Sequence, residues 1–99
     1  MNIKKEQNGS ELNIAVEGRL DTITAPELDA ELTTALNGIE KLVFDFSELE
    51  YISSAGLRVL LSAQKVMTKQ GGMVIRNVKP EIMEIFEVTG FVDILDIEN

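Results

Sequence analysis

The sequence contains no cysteine and no histidine. Without cysteine there are no disulfides, no thiol catalysis and no thiolate metal sites. Without histidine there is no Ser-His-Asp relay, no imidazole general base and no imidazole metal ligand. Basic residues are scarce: nine stand against seventeen acids, and the resulting net charge of −8 repels nucleic acid and anionic lipid. No apolar run approaches the ~18 residues of a membrane span, and no apolar signal region follows Met1-Asn2-Ile3-Lys4-Lys5. A cytoplasmic chain is therefore expected, without cofactor or metal and with neither nucleic acid nor membrane as a partner. These absences disfavour most enzymes.

What remains is ordinary globular composition, with 44% hydrophobic and 26% charged residues in 99 residues and 11.0 kDa. That length predicts one domain, residues 1–99, with a single core. The Asn8-Gly9 pair marks a tight turn, and Leu12, Ile14 and Val16 alternate after it. A β-hairpin over residues 2–18 follows, with Glu11, Asn13 and Glu17 on its polar face. Thr24-Ala25-Pro26-Glu27 predicts a helix start with a capping box, in which Thr24 and Glu27 cap one another. Leu28, Leu32, Ala35 and Leu36 then share a face that Gly38 closes.

Residues 41–46 form an apolar strand, and a loop of about seven residues leads to a second helix over residues 54–69, which Gly71-Gly72 ends. Met73-Val74-Ile75 is a strand, Pro80 opens a third helix with Ile82, Met83, Ile85 and Phe86 inward, and a strand over residues 91–97 closes the chain. The order predicts an α/β fold: an N-terminal hairpin, then alternating helices and strands in a mixed, mostly parallel sheet packed against helices.

Chemistry in parallel sheets gathers at the carboxyl ends of strands, facing helix amino-termini. Here that place is Asp45 through Leu57, where Ser53-Ser54-Ala55-Gly56 opens the second helix. Helix capping alone is the commoner explanation of such a pattern, and Gly56 would serve close packing. One serine suffices to cap, which leaves the second for another role. Arg58, Ser62, Lys65 and Lys69 form one polar stripe with Ser54 at its head, and the rest of the helix, Val66 included, is expected to be buried. The stripe reads as a solvated face, as a set of salt bridges to Glu27, Glu31, Glu81 and Glu84, or as a landing strip for an acidic partner. Asp21 is expected at the same rim, or simply as a loop residue turning the chain toward Thr24. Asp45 sits where receiver domains carry a phosphoacceptor, without the acidic pair and lysine that chemistry needs. Tyr51 and Phe91 read more readily as core than as a ligand platform.

At these residues the sequence resembles the anti-sigma factor antagonists, stand-alone members of the STAS family, which shares its domain with sulphate transporter tails. The resemblance rests on Gly18-Arg19-Leu20-Asp21 with Ala25-Pro26-Glu27-Leu28, on Val43 to Ser47 with Tyr51 to Leu57, and on Gly71-Gly72-Met73 onward to Val88-Thr89-Gly90-Phe91. It implies that Ser54 is phosphorylated by a partner that is both serine kinase and anti-sigma factor. The unmodified protein would capture that partner and free a sigma factor; the phosphorylated one would let go, until a metal-dependent serine phosphatase resets it. Asp21 maps to the acid near the phosphoserine, with Ser53, Ala55, Gly56 and Arg58 completing the rim. Two positions depart from the pattern: Ser53 stands where Asp is common, and Ala55 where Ser or Thr is common. Many relatives also add a terminal helix, so a sheet face or groove is expected to lie open here. Two other functions fit the residues: a small-ligand or nucleotide sensor holding an anion at the same helix start, and a catalyst using Asp21, Asp45 and a serine. The last lacks a base for its nucleophile.

Overall fold

The computed structural model describes residues 1–98, in the order β1 (Asn2–Asn8), β2 (Glu11–Leu20), α1 (Ala25–Ala35), β3 (Lys41–Asp45), β4 (Leu49–Ile52), α2 (Ser54–Gln70), β5 (Gly72–Arg76), α3 (Pro80–Thr89), a 3₁₀ turn (Phe91–Asp93) and β6 (Ile97–Glu98). The strands form one mixed sheet in the order β1-β2-β3-β5-β6, with β4 attached to β2. Only β1 and β2 are antiparallel; every other pairing is parallel. The predicted α/β fold is the one observed.

Alternation along the strands decides which residues enter the core. Leu12, Ile14 and Val16 of β2, Leu42 and Phe44 of β3, and Met73 and Ile75 of β5 meet Leu28 and Leu32 of α1, Leu57 and Leu60 of α2, and Ile82 and Phe86 of α3. All three helices therefore lie on one sheet face. Asn13, Ala15, Val43, Asp45, Val74 and Arg76 alternate with these core residues and line the other face. At Gly71 the chain passes so close to β3 that a Cβ would stand 2.0 Å from the Glu40 carbonyl oxygen. Only glycine fits there, which is why the helix can turn straight into β5.

β2 changes partner along its length. Residues 11–15 pair with β3, and residues 18–20 pair with β4. Between Gly18 and Arg19 the register skips Glu50, so Gly18 faces Leu49 and Arg19 faces Tyr51. Gly18 adopts φ +94° at this bulge and donates its amide to the Glu48 carbonyl at 2.9 Å. The bulge bends β2 toward the helix start that follows β4.

Four expectations are corrected. The loop before α2 contains β4, a short strand that sequence periodicity missed because Glu50 and Tyr51 are both exposed. Among the described residues the closing strand is Ile97–Glu98 and not residues 91–97. Gly90, at φ +80°, ends α3, and local bonds from Ile94 and Leu95 amides to the Phe91 carbonyl hold the next segment in a turn. The capping box at α1 does not form, since Thr24 makes no side-chain cap. On α2, Val66 is 41% exposed and leaves the otherwise buried side of the helix.

Candidate functional site

The carboxyl ends of β2 and β4 lie side by side, with Leu20 opposite Ile52. The Ser53 amide then donates to the Leu20 carbonyl at 2.9 Å, so Asp21 and Ser53 leave the sheet at the same level. The first turn of α2 settles directly onto this edge. At Gly56 a Cβ would lie 2.8 Å from both Ile52 Cγ1 and Leu20 Cγ, and 3.0 Å from the Leu20 carbonyl oxygen. Gly56 is thus a packing glycine, as one of its two sequence readings required.

The two serines separate into different environments. Ser53 is half-buried in extended backbone as the N-cap of α2, and its Oγ accepts from the Gly56 amide at 3.4 Å. Ser54 is the first residue of the helix, exposed, and without a side-chain hydrogen-bond partner among the described residues. Its hydroxyl lies among the free amides and positive dipole end of a helix amino-terminus, where a phosphoryl group is well tolerated. No acid occupies the first turn of α2. Ala55 is half-buried against the core, and Arg58 is exposed one turn further along.

Asp21 organises the facing loop. Its Oδ1 accepts from the Ile23 amide at 3.0 Å and the Thr24 amide at 3.1 Å. Its own amide donates to Thr24 Oγ1 at 2.8 Å, and that hydroxyl donates to the Arg19 carbonyl at 2.7 Å. The Thr24 hydroxyl is taken up by the Asp21 amide and the Arg19 carbonyl, and the Glu27 amide bonds the Thr24 carbonyl at 3.0 Å instead, so no capping box forms. The Thr24 amide is the main influence holding the Asp21 carboxyl below the usual carboxylate range. The Ile23 amide, the Thr24 hydroxyl and the Arg19 charge add to it, against an opposing desolvation. Asp21 therefore shares the rim and also turns the chain, joining the two readings weighed for it.

A shallow furrow of about 250 Å³ separates the two halves of the rim, with Thr22, Ala25, Pro26 and Asp29 on one bank and Ala55, Arg58 and Val59 on the other. Arg58, Ser62, Lys65 and Lys69 all stand exposed along α2. Among the described residues none of the three cations pairs with Glu27, Glu31, Glu81 or Glu84; Glu31 is held by Lys5 instead. The stripe is a solvated cationic face, without the salt bridges considered for it.

Asp45 is a structural cap. Burial pushes its carboxyl up, but bonds from the Ser47 amide, the Asn77 side chain and the Ser47 hydroxyl outweigh this and leave it below the usual range. Among the described residues no cluster of acids is arranged to hold a metal ion, and no helix is long and apolar enough to cross a membrane. Tyr51 is not core. It is 38% exposed, with the Arg19 guanidinium 4.3 Å from its ring centroid. Arg19 also lies 3.6 Å from Asp21 Oδ2. Sequence reasoning missed this pair because only the pairing of β4 with β2 sets Arg19 opposite Tyr51. Ile23 was missed too: it sits in the Asp21 turn and is 83% exposed.

The STAS domain profile matches residues 2–99. BtrV of Bordetella bronchiseptica, which bears an anti-sigma factor antagonist name, is 40% identical over 86 residues, covering 85% of this chain and 74% of BtrV. The anti-sigma-B factor antagonist of Bacillus subtilis is 29% identical over 98 residues, covering 98% of this chain and 90% of the relative. Among solved structures, an anti-sigma factor antagonist from Mycobacterium paratuberculosis superposes with a TM-score of 0.87 at 23% identity, covering 97% of this chain and 83% of that one. The Bacillus protein SpoIIAA in its phosphorylated form gives 0.76 at 18% identity, covering 99% and 92%. The structural likenesses establish the shared fold.

Proposed function

Because the chain belongs to the STAS domain family, among its anti-sigma factor antagonists, we propose that it is a phosphorylation-switched binding module with no turnover of its own. Its unmodified rim binds an anti-sigma factor that is also a serine kinase, and so releases a sigma factor. The observation that carries this reading is the exposed hydroxyl of Ser54, unpartnered among the described residues, beside a neighbour, Ser53, that already caps the helix.

In the modification, Ser54 Oγ attacks the γ-phosphorus of ATP, the bond to the bridging oxygen breaks, and ADP leaves. The kinase must take the hydroxyl proton, since this chain has no histidine and places no acid in the first turn of α2. The product adds about −1.5 to −2 charge and three acceptor oxygens at the helix start. The helix dipole and Arg58 stabilise that charge within the free protein, so the fold does not rearrange. At a tight interface the same charge is desolvated, at a cost of several kcal/mol, and each ~1.4 kcal/mol lowers affinity tenfold. A serine phosphatase restores the binding form. Asp21 and Gly56 hold the rim in shape, Ser53 caps it, Ala55 seats it on the core, and Arg58 flanks the phosphate.

The test is phosphorylation with the serine-kinase anti-sigma factors of the source genome, ATP and Mg²⁺, followed by mapping of the modified residue. Phosphate on Ser54 is expected. Ser54→Ala should retain kinase binding, and Ser54→Asp should lose most of it. Modification confined to another residue, or equal affinity of the two variants, would overturn the reading.

A further inference from the structure

We propose that Ile23 is the specificity anchor of this rim, received by an apolar pocket on the kinase that modifies Ser54. This rests on the Ser54 reading and adds the chemistry by which the partner is recognised. A single exposed aliphatic side chain is ordinary on a protein surface. Ile23 differs in how it is held and where. It is 83% exposed, the most exposed of the large hydrophobics among the described residues. Its backbone is nonetheless fixed, with its own amide on Asp21 Oδ1 at 3.0 Å and the next amide on the same oxygen at 3.1 Å. The Ala25 amide closes the turn on the Asp21 carbonyl at 2.7 Å. A β-branched side chain has few χ1 states to lose, and a pre-ordered loop has little backbone freedom left to give up on binding.

The position follows from the furrow. Thr22, Ala25 and Pro26 face Ala55 and Arg58 across it, so the Ile23 turn forms the bank opposite the Ser54 helix start. A stable interface covers about 800 Å² on each partner, a disc of roughly 16 Å radius. A kinase seated over Ser54 with a footprint of that size spans the furrow and reaches the bank on which the Ile23 turn stands. Thr22 to Pro26 carry no charge in a chain of net −8. Asp21 and Glu27 flank this stretch and Asp29 lines the furrow beside it, so Ile23 is the large apolar contact on an otherwise acidic bank.

The experiment is binding of Ile23→Asp, Ile23→Val and Val88→Asp to the same purified serine-kinase anti-sigma factors, with melting curves recorded in parallel. Val88 is the control: it is 80% exposed, and its own groove is lined by Glu81, Glu84, Ile85 and Thr89. Ile23→Asp should weaken binding at least tenfold without lowering the melting temperature. Ile23→Val should stay within threefold of the parent, and Val88→Asp should match it. If Ile23→Asp binds within twofold of the parent while Ser54→Asp is released, the anchor is wrong and the switch stands. If no kinase binds, or Ser54→Asp binds as tightly as the parent, the switch fails and the anchor with it.

Discussion

The Ser53 amide donates to the Leu20 carbonyl at 2.9 Å, and this bond ties the start of α2 to the end of β2. It extends the β4 pairing by one residue beyond Ile52 and fixes where the helix begins. With Ser53 spent on the sheet through its backbone and on the helix through its Oγ, the next residue emerges as the first free hydroxyl of α2. The division of labour between the two serines is a consequence of strand register.

Ser53→Ala therefore removes a cap and spares the acceptor. Cap deletion costs about 0.5–2 kcal/mol, and the long 3.4 Å bond to the Gly56 amide places this one at the low end. Chemical denaturation should show that small loss. Kinase treatment should still place phosphate on residue 54, and loss of all modification in Ser53→Ala would reverse the assignment of the two residues.

Gly56→Ala should destabilise the protein despite alanine's higher helix propensity. The methyl would press on Leu20 and Ile52 side chains at 2.8 Å and on the Leu20 carbonyl at 3.0 Å. Overpacking of this kind costs about 1–3 kcal/mol, against a propensity gain of about 1 kcal/mol. The net loss should be up to about 2 kcal/mol by thermal or denaturant unfolding. Because relief requires α2 to lift from the β2–β4 edge, Ser54 phosphorylation should also slow. An unchanged melting temperature would mean that the edge yields freely.

Much of this was legible in the residues themselves. Asn8-Gly9 with Leu12, Ile14 and Val16 gives the hairpin; Pro26 and Pro80 open helices, and Gly71 ends α2. That one of Ser53 and Ser54 caps and the other is spare could be read as well, while the structure shows that Ser53 is the cap. The misses arise from hydrogen-bond and packing partners that periodicity does not register, distant ones for β4 and local ones for the Phe91 and Thr24 segments. β4 carries no alternation because Leu49 and Ile52 are buried at its ends while Glu50 and Tyr51 are exposed between them. The apolar run from Phe91 suggested a strand, yet Leu95 is the residue buried there while Val92 and Ile94 face solvent, which is turn geometry. Thr24 has the residue type of a cap, but the Arg19 carbonyl and the Asp21 amide take up its hydroxyl.

Asp21 and Asp45 should give the protein a shared acid sensitivity. Both carboxyls are held below their ordinary range in the folded state. Each thus contributes stability that is present above the unfolded pKa, about 3.9, and that disappears as pH falls through the lower folded value. Asp21→Asn and Asp45→Asn keep an acceptor oxygen but no charge. Their melting temperatures should lie below the parent's at neutral pH, and the gap should close as pH drops below about 4. A gap that stays constant with pH would show that the charge contributes nothing and only the turn geometry matters.

The phosphorylated form offers a direct reading of the field at the helix start. A phosphoserine loses its second proton with a pKa near 6, and neighbouring positive charge favours the dianion and lowers that value. At residue 54 two sources act: the amino-terminus of α2, and Arg58 four positions on, on the same helical face. Phosphorus NMR titration of the modified protein should therefore give a pKa below about 6. Arg58→Gln should raise it by some tenths of a unit, whereas Lys69→Gln, in the last turn of α2, should leave it unmoved. Amide spectra should change only around residues 53–58 and the Asp21 turn, because the charge is accommodated where it forms. A titration indifferent to Arg58 would remove that residue from the switch, and chemical-shift changes spread through the core would replace local repulsion with a refolding mechanism.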